Sequence, residues 1–431
     1  MFKQIKNKIK GIVPRQGWKI LHNMRHYANI IPLHREYLRK QSLIQQKKEP
    51  INVLFFSILD NQWKYDSVFK MMLNDSNFKP LIIVCPSITH DRKYMLDNMK
   101  RSCEYFKKKG YPFVCGYDEN SDTCIDAHKY NPDIIFFCAP YPGATEEYFT
   151  QSKFEGILTC YVNYFYVTLN ESWTCFDYHT KFWRYYLEYP KLLEQINNLY
   201  YPCKINGKVV GYPHFDAFRQ HMLSVEDWPI AGKRKKRIIW APHHTVSSNT
   251  GLYAMSTFER YSEFMLKIVE KYRDELEIVF KPHPALKPRL YNVKGWGKER
   301  TDAYYDKWAT GENTAFVDGE YIGLFLASDA MIHDCNSFTV EYLAVNKPAM
   351  FLDSGMTDDK INEVGNEARA CYYKGYCEED IENFIKMIIE GGEDILRERR
   401  EAFYKNYILP PNGKLAAENI IDDLLTSLGR K

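Results

Sequence analysis

The sequence predicts an α/β protein of two Rossmann-like domains with a cleft between them. Three observations carry this expectation. The strand-like runs are continuously apolar instead of alternating, as in parallel strands covered on both faces. Helix-like stretches separate them, which is the pattern of α/β folds. The alternation also occurs twice, on either side of the charged segment "WPIAGKRKKR" at 228–237.

In chain order, the first series comprises "INVLFFSIL" (51–59), "PLIIVCP" (80–86), "PFVCG" (112–116), "DIIFFCA" (133–139), "GILTCYVN" (156–163) and "KVVGYP" (208–213). Helices are expected at "KYDSVFKMMLND" and at "KYMLDNMKRSCEYFKKKG", the latter closing on Gly110. The second series comprises "RIIWAP" (237–242), "LEIVFKP" (276–282), "TAFVD" (314–318), "DAMIH" (329–333) and "PAMFLD" (348–353). Its helices include "STFERYSEFMLKIVEKYRDE" and "EEDIENFIKMIIEGG". The expected division is a basic helical arm (1–48), a first domain (49–227), a hinge (228–236), a second domain (237–405) and a C-terminal helix (406–431).

A chain of 431 residues is too long for one ordinary core and suits two. Its 45% hydrophobic and 26% charged residues exclude disordered and fibrous classes. The 33 tyrosines and 25 phenylalanines read as packing material and identify no ligand. The small net charge of +3 hides an uneven distribution, because residues 1–48 hold twelve Lys and Arg against the single acid Glu36. The remainder is therefore net negative, and no nucleic-acid partner is expected. Ile5, Ile9, Ile12 and Val13, then Trp18, Leu21 and Met24, recur at helical spacing among these lysines, with Pro14 breaking the pattern. That suits contact with an anionic membrane surface, or an ordinary helix docked on the body. Eleven scattered cysteines without a C-x-x-C pair, and no secretory leader, point to reduced thiols in the cytoplasm. No apolar run approaches the ~20 residues of a membrane-spanning helix.

Ligands of open α/β sheets bind at the carboxyl ends of strands. Four such ends in the second half carry polar residues: His243 and His244 after "RIIWAP", His283 in "KPHP", the turn His333 to Ser337 after "DAMI", and Asp353 after "PAMFL". Asn336 or Ser337 is a candidate helix N-cap, where backbone N–H groups, including that of Phe338, are available to a phosphate. Glu341 lies one helical turn beyond Ser337 and suits a ribose or another polyol; an exposed, dipole-favoured glutamate is the alternative. His283, held between two prolines, suits phosphate binding or base chemistry, and a structural histidine is its alternative. Adjacent residues of an extended chain point to opposite sides, so His243 and His244 are not expected to ligate a metal together. No metal site and no cofactor are assigned. Glycine-rich nucleotide loops, a Walker loop, H-E-x-x-H and D-x-D are all absent from the sequence.

Four of these stretches resemble motifs of the CDP-glycerol glycerophosphotransferases of teichoic-acid and capsule synthesis. "HDCNSFTVE" (333–341) with "NKPAMFLD" (346–353) is similar to that family's late T-D-Y-S-S-x-x-x-[DE] and NKP motifs. Asp334, Ser337 and Glu341 match, and Asn336 replaces the first serine. "VFKPHP" matches its His-Pro motif at His283, "WAPHH" (240–244) resembles its YAPT strand end, and "GYPHFD" (211–216) its GYPRxD. The resemblance spans roughly 200–355. It implies a GT-B fold and transfer of a polyol phosphate, glycerol or ribitol phosphate, from a CDP-activated donor to a hydroxyl of a cell-envelope glycan, with CMP released. It further implies that His283 and the turn Asp334, Asn336, Ser337, Phe338 and Glu341 engage the donor. The acceptor is expected to be lipid-linked, at the cytoplasmic face of the membrane. Polymerases of the family carry an H-G-T-P motif whose histidine activates the acceptor, and no His-Gly occurs in this chain. The corresponding strand end carries Asn163 and Tyr164, so His243, His244 or His179 is left as base. A glycosyltransferase of the same fold using a CMP- or UDP-sugar, and a non-catalytic scaffold, stay open as alternatives.

Overall fold

The computed structural model describes residues 15–89, 91–141, 143–170, 176–199, 206–221, 228–246, 256–335, 338–355 and 361–431, with side chains from residue 26 onward except at 176, 177, 199, 220 and 221. These residues form two compact units. The first comprises 1–165, 171–214 and 410–431; the second comprises 166–170 and 215–409.

The first unit is built on a parallel sheet of β1 (Ile51–Ser57), β2 (Phe78–Val84), β3 (Phe113–Cys115), β6 (Ile134–Phe137), β7 (Leu158–Val162), β8 (Arg184–Leu187) and β9 (Gly207–Val209). β4 (Tyr117–Asp118) and β5 (Thr123–Cys124) form a separate antiparallel pair. The order in the sheet is β3-β2-β1-β6-β7-β8-β9. Side chains from both faces are buried, which is why β6 and β7 read as unbroken apolar runs. Aromatic rings fill the space behind the sheet: Phe55 stacks on Phe136 at 4.7 Å and meets Trp63, Tyr65 and Phe69 edge-on.

The second unit repeats the plan with β10 (Lys236–Ala241), β11 (Leu276–Phe280), β12 (Thr314–Phe316), β13 (Ala330–His333), β14 (Ala349–Leu352) and β15 (Tyr373–Gly375), in the order β12-β11-β10-β13-β14-β15. All neighbouring pairs are parallel. The order reverses between β10 and β13, the switch point where open α/β sheets receive ligands. Trp240, Phe258, Phe280, Tyr304 and Trp308 form the centre of its core.

Several expectations are corrected. The second unit begins at Phe215 and not at 237, because the helix Pro213–His221 already packs there: Phe218 stacks on Phe325 at 6.1 Å. Residues 410–431 return to the first unit, where Asp423 of the helix Ala416–Ser427 pairs with Arg184 at 2.8 Å. Gly211, at φ +93°, sits where the returning chain passes; a Cβ there would lie 2.7 Å from Pro410 Cβ. The strands at 184–187 and 373–375 were not expected from the sequence. "RYYL" mixes a charge and two hydroxyls into what is a buried strand, with Arg184 and Tyr186 both bonded to Asp423.

The basic arm is also not separate over its described length. A single helix, Arg15–Gln46, runs through Pro32, and its residues Ile30, His34, Tyr37 and Ile44 are buried along one face. Tyr37 Oη donates to the Lys181 carbonyl at 2.8 Å and bonds Thr159 Oγ1 at 2.8 Å, while Lys47 pairs with the nearly buried Asp133 at 2.6 Å. The docked face lies beyond the apolar positions read from the sequence, which fall before residue 25. No helix among the described residues is long and apolar enough to cross a membrane, and no two described cysteines are joined.

Candidate active site

In the second unit, β10 and β13 lie side by side with Ala241 opposite His333, so their carboxyl ends open on the same edge. The loops leaving that edge are stitched together by the backbone and by one carboxylate. His283 N–H donates to the Pro242 carbonyl at 2.9 Å, bringing the loop after β11 onto the loop after β10. Asp334, immediately after β13, accepts from His243 N–H at 2.5 Å, from Thr257 N–H at 2.5 Å and from Thr257 Oγ1 at 2.9 Å. Thr257 precedes the helix Phe258–Lys271, so one carboxylate fixes a loop and a helix start together.

This assigns Asp334 a role different from the one the sequence suggested. It is wholly buried and both its oxygens are occupied, so it holds the site's frame and offers no face to a ligand. Burial pushes its carboxyl up to about 6, against the pull of those three bonds.

His243, His244 and His283 are brought together. Their rings lie 4.0 Å (243 to 244), 4.1 Å (244 to 283) and 5.3 Å (243 to 283) apart. One nitrogen from each falls within 4.8 Å of the others, close enough to serve a single ion. The expectation that His243 and His244 diverge fails because the chain is no longer extended there. β10 ends at Ala241, and Val246 N–H turns back onto the His244 carbonyl at 3.0 Å. His243 Nδ1 meets Thr245 Oγ1 at 2.9 Å. Ala285 N–H donates to His283 Nδ1 at 3.1 Å, which leaves the proton of the neutral ring on Nε2. Nδ1 of His244 is shut off from solvent and has no hydrogen-bond partner among the described residues.

None of the three rings is a cation at neutral pH. Burial, reinforced by the neighbouring rings and Arg289, lowers His243 to about 3 and His244 to about 2. Burial, then Arg289 and Lys281, lowers His283 to about 4. The positive charge beside them belongs to Arg289, on the short helix Leu286–Leu290, which the sequence reading missed. Its signal was present: a basic residue just beyond "KPHP", where the chain becomes helical.

Glu341 is buried, and Tyr321 Oη donates to its Oε2 at 2.5 Å. Phe338, half-buried, packs against Tyr321 at 5.2 Å and Phe325 at 5.1 Å. Lys281 Nζ, nearby, donates to the Gly319 carbonyl at 3.0 Å and faces the Tyr321 ring at 5.5 Å. Asn336 and Ser337 lie outside the described residues. His333, first residue of the turn, is a core histidine packed edge-on against Phe351 and Tyr372 and kept neutral by burial. The lysine of "NKP", Lys347, donates to the carbonyls of Phe325, Leu326 and Ser328 and so ends the preceding helix, Ile322–Ala327.

In the first unit, Asn163 is buried at the end of β7 and spent internally. Its Nδ2 donates to Glu188 Oε1 at 2.9 Å, and its Oδ1 accepts from Tyr185 Oη at 3.0 Å. It therefore does not present an amide to an acceptor. Tyr164 is half-buried against Tyr141 and Phe165. His179 lies within the same aromatic group, its Nε2 3.4 Å from Tyr141 Oη, and burial lowers it to about 3.

Solved structures similar to the chain include the wall teichoic acid polymerase TagF, at 15% identity and a TM-score of 0.54, covering 95% of this chain and 98% of that one. Staphylococcus aureus MnaA with UDP matches at 12% identity and TM-score 0.53, covering 88% and 98%. The UDP-GlcNAc 2-epimerase of Neisseria meningitidis bound to UDP-GlcNAc matches at 13% and 0.55, covering 87% and 99%. These likenesses establish the fold as GT-B-like. No curated protein matches the chain in sequence. The sequence pattern of the family described as CDP-Glycerol:Poly(glycerophosphate) glycerophosphotransferase matches residues 166–422, more than half of the chain and the whole of the unit that holds the histidine group. The chain belongs to that family of transferases.

Proposed function

We propose that the chain transfers a polyol phosphate, glycerol phosphate or ribitol phosphate, from its CDP ester to a hydroxyl of a cell-envelope glycan, releasing CMP. The observation that carries this reading is the group His243, His244, His283 and Arg289 at the switch point of the family-matched unit. The acceptor oxygen attacks the phosphorus that bears the polyol, the bond from that phosphorus to the bridging oxygen breaks, and CMP leaves with the electron pair. The acceptor's proton passes to solvent or to a neutral imidazole.

In this reading His283 offers Nε2–H to an oxyanion of the pyrophosphate, and Arg289 offsets its charge. Glu341, oriented by Tyr321, accepts from a donor hydroxyl. A loose phosphoryl-transfer transition state depends on positioning and charge more than on a strong base, which suits rings as weakly basic as these. The basic residues before 26, seven Lys and Arg without an acid, suit a membrane carrying a lipid-linked acceptor at its inner face.

The test is CMP release from CDP-glycerol and from CDP-ribitol in the presence of membrane-derived glycan. His283→Ala and Arg289→Ala are expected to lower the rate at least about a hundredfold, the scale of a lost oxyanion contact. Stabilisation by CMP- or UDP-sugars, with no CMP released from either CDP-polyol, would replace this reading with glycosyl transfer.

A further inference from the structure

The three imidazoles have a feature that anion binding does not explain. One nitrogen from each ring lies within 4.8 Å of the others, and the enclosed Nδ1 of His244 has no hydrogen-bond partner among the described residues. Neutral imidazoles are the commonest protein ligands of divalent first-row metals. We propose that His243, His244 and His283 bind one such cation, zinc by preference, with a fourth position taken by a phosphate oxygen.

The geometry supports a site of this kind. The ligand nitrogens already lie within 4.8 Å of one another, and tetrahedral zinc with bonds of about 2.0–2.1 Å needs them closer by up to roughly 1.5 Å. Side-chain rotation supplies that contraction. Thr245 Oγ1, at His243 Nδ1, is the outer partner that orients a ligating ring through its other nitrogen. The buried, unpartnered Nδ1 of His244 shows that this ring is placed without a protein partner for that atom.

Two features oppose the cation, and their size decides the matter. Ligation through His283 Nε2 moves that ring's proton to Nδ1 and gives up the 3.1 Å contact from Ala285 N–H. The loss of one neutral hydrogen bond is small beside the affinity of a three-histidine zinc site. Arg289 and Lys281 add positive charge, which Asp318 offsets only in part, so a bare cation is disfavoured and one carrying an anionic fourth ligand is not. Phosphate and metal therefore bind cooperatively, each raising the other's affinity. Metal binding stands apart from the proposed transfer; with the cation bound, it and not His283 Nε2–H would meet the donor's phosphate oxygen, and only that service rests on the transfer reading.

The experiment is a titration of the metal-free full chain with Co2+, read by the visible ligand-field bands of a tetrahedral site, then displaced by Zn2+. One equivalent per chain is expected, with tighter binding when inorganic phosphate is present. His243→Asn, His244→Asn and His283→Asn are each expected to weaken binding by more than the ~10–100-fold that losing an outer partner costs. His128→Asn, an exposed histidine of the first unit, leaves it unchanged. Absence of the bands, or their persistence in the triple variant, overturns the site. Where a variant does not fold, X-ray absorption of the zinc-loaded wild type decides by the number of imidazole ligands. CMP release is a separate reading: bound metal without release from any CDP-polyol sinks the transfer and keeps the site, whereas equal release by the metal-free chain removes the metal from the reaction.

Discussion

Replacing Asp334 by alanine removes the carboxylate that ties β10, β13 and the helix Phe258–Lys271 together. Three bonds to a charged acceptor are lost, from His243 N–H, Thr257 N–H and Thr257 Oγ1. Two backbone N–H groups are left without their partner, at about 1–3 kcal/mol each. The hydroxyl of Thr257 adds to this, and relief of the buried charge subtracts from it, since the fully enclosed carboxyl is costly to ionise. The expected net loss is about 3 kcal/mol, confined to the second unit. For a unit of this size that is a fall in Tm of roughly 6–12 °C. It is also about a hundredfold faster amide exchange in the strands Lys236–Ala241 and Ala330–His333, if these exchange by opening of that unit. Exchange in Ile134–Phe137 of the first unit is the internal control and stays unchanged. Asp334→Asn keeps the shape but turns an N–H donor toward one of the two N–H groups, so it is expected to cost nearly as much. A loss below 1 kcal/mol for Asp334→Ala would refute the assignment of this residue as the frame of the site.

Two further outcomes follow from the first unit. Tyr37→Phe leaves the Lys181 carbonyl and Gln151 Nε2 without the hydroxyl they share, and is expected to cost about 2 kcal/mol in urea unfolding. Leu38→Ala, on the exposed side of the same helix, stays within about 0.5 kcal/mol, and an equal loss from both would mean the helix is not docked through Tyr37. Burial lowers His179 from 6.5 to about 3, so the unfolded chain takes up the proton first as pH falls. The stability this neutral ring contributes is complete above pH 6.5 and declines by about 1.4 kcal/mol per pH unit below it, until pH approaches 3. Urea midpoints at pH 7 and pH 5 should converge in His179→Gln relative to wild type; an unchanged pH dependence would show that the ring is not buried neutral.

How much of this was legible beforehand differs from feature to feature. Eleven of the strands in the two parallel sheets announce themselves as apolar runs, because a parallel strand covered on both faces needs apolar residues at every position. "RYYL" did not, since its polar atoms are satisfied by Asp423, some 240 positions away. The same remoteness hid the return of 410–431 to the first unit and the docking of the helix Arg15–Gln46.

By itself the sequence determined the class of fold and its two α/β series, which depend on local pattern, and the family, which depends on motif. Tertiary structure alone decided what each polar residue does. Within "HDCNSFTVE", Asp334 became a buried carboxylate that frames the loops, His333 a core histidine and Glu341 a glutamate held by Tyr321. "PHH" and "KPHP" looked like separate strand ends, and became one group of three neutral rings beside Arg289. Whether a histidine is a cation, a ligand or packing depends on what desolvates it and what stands beside it. Those neighbours come from other strands, so only the folded chain specifies them.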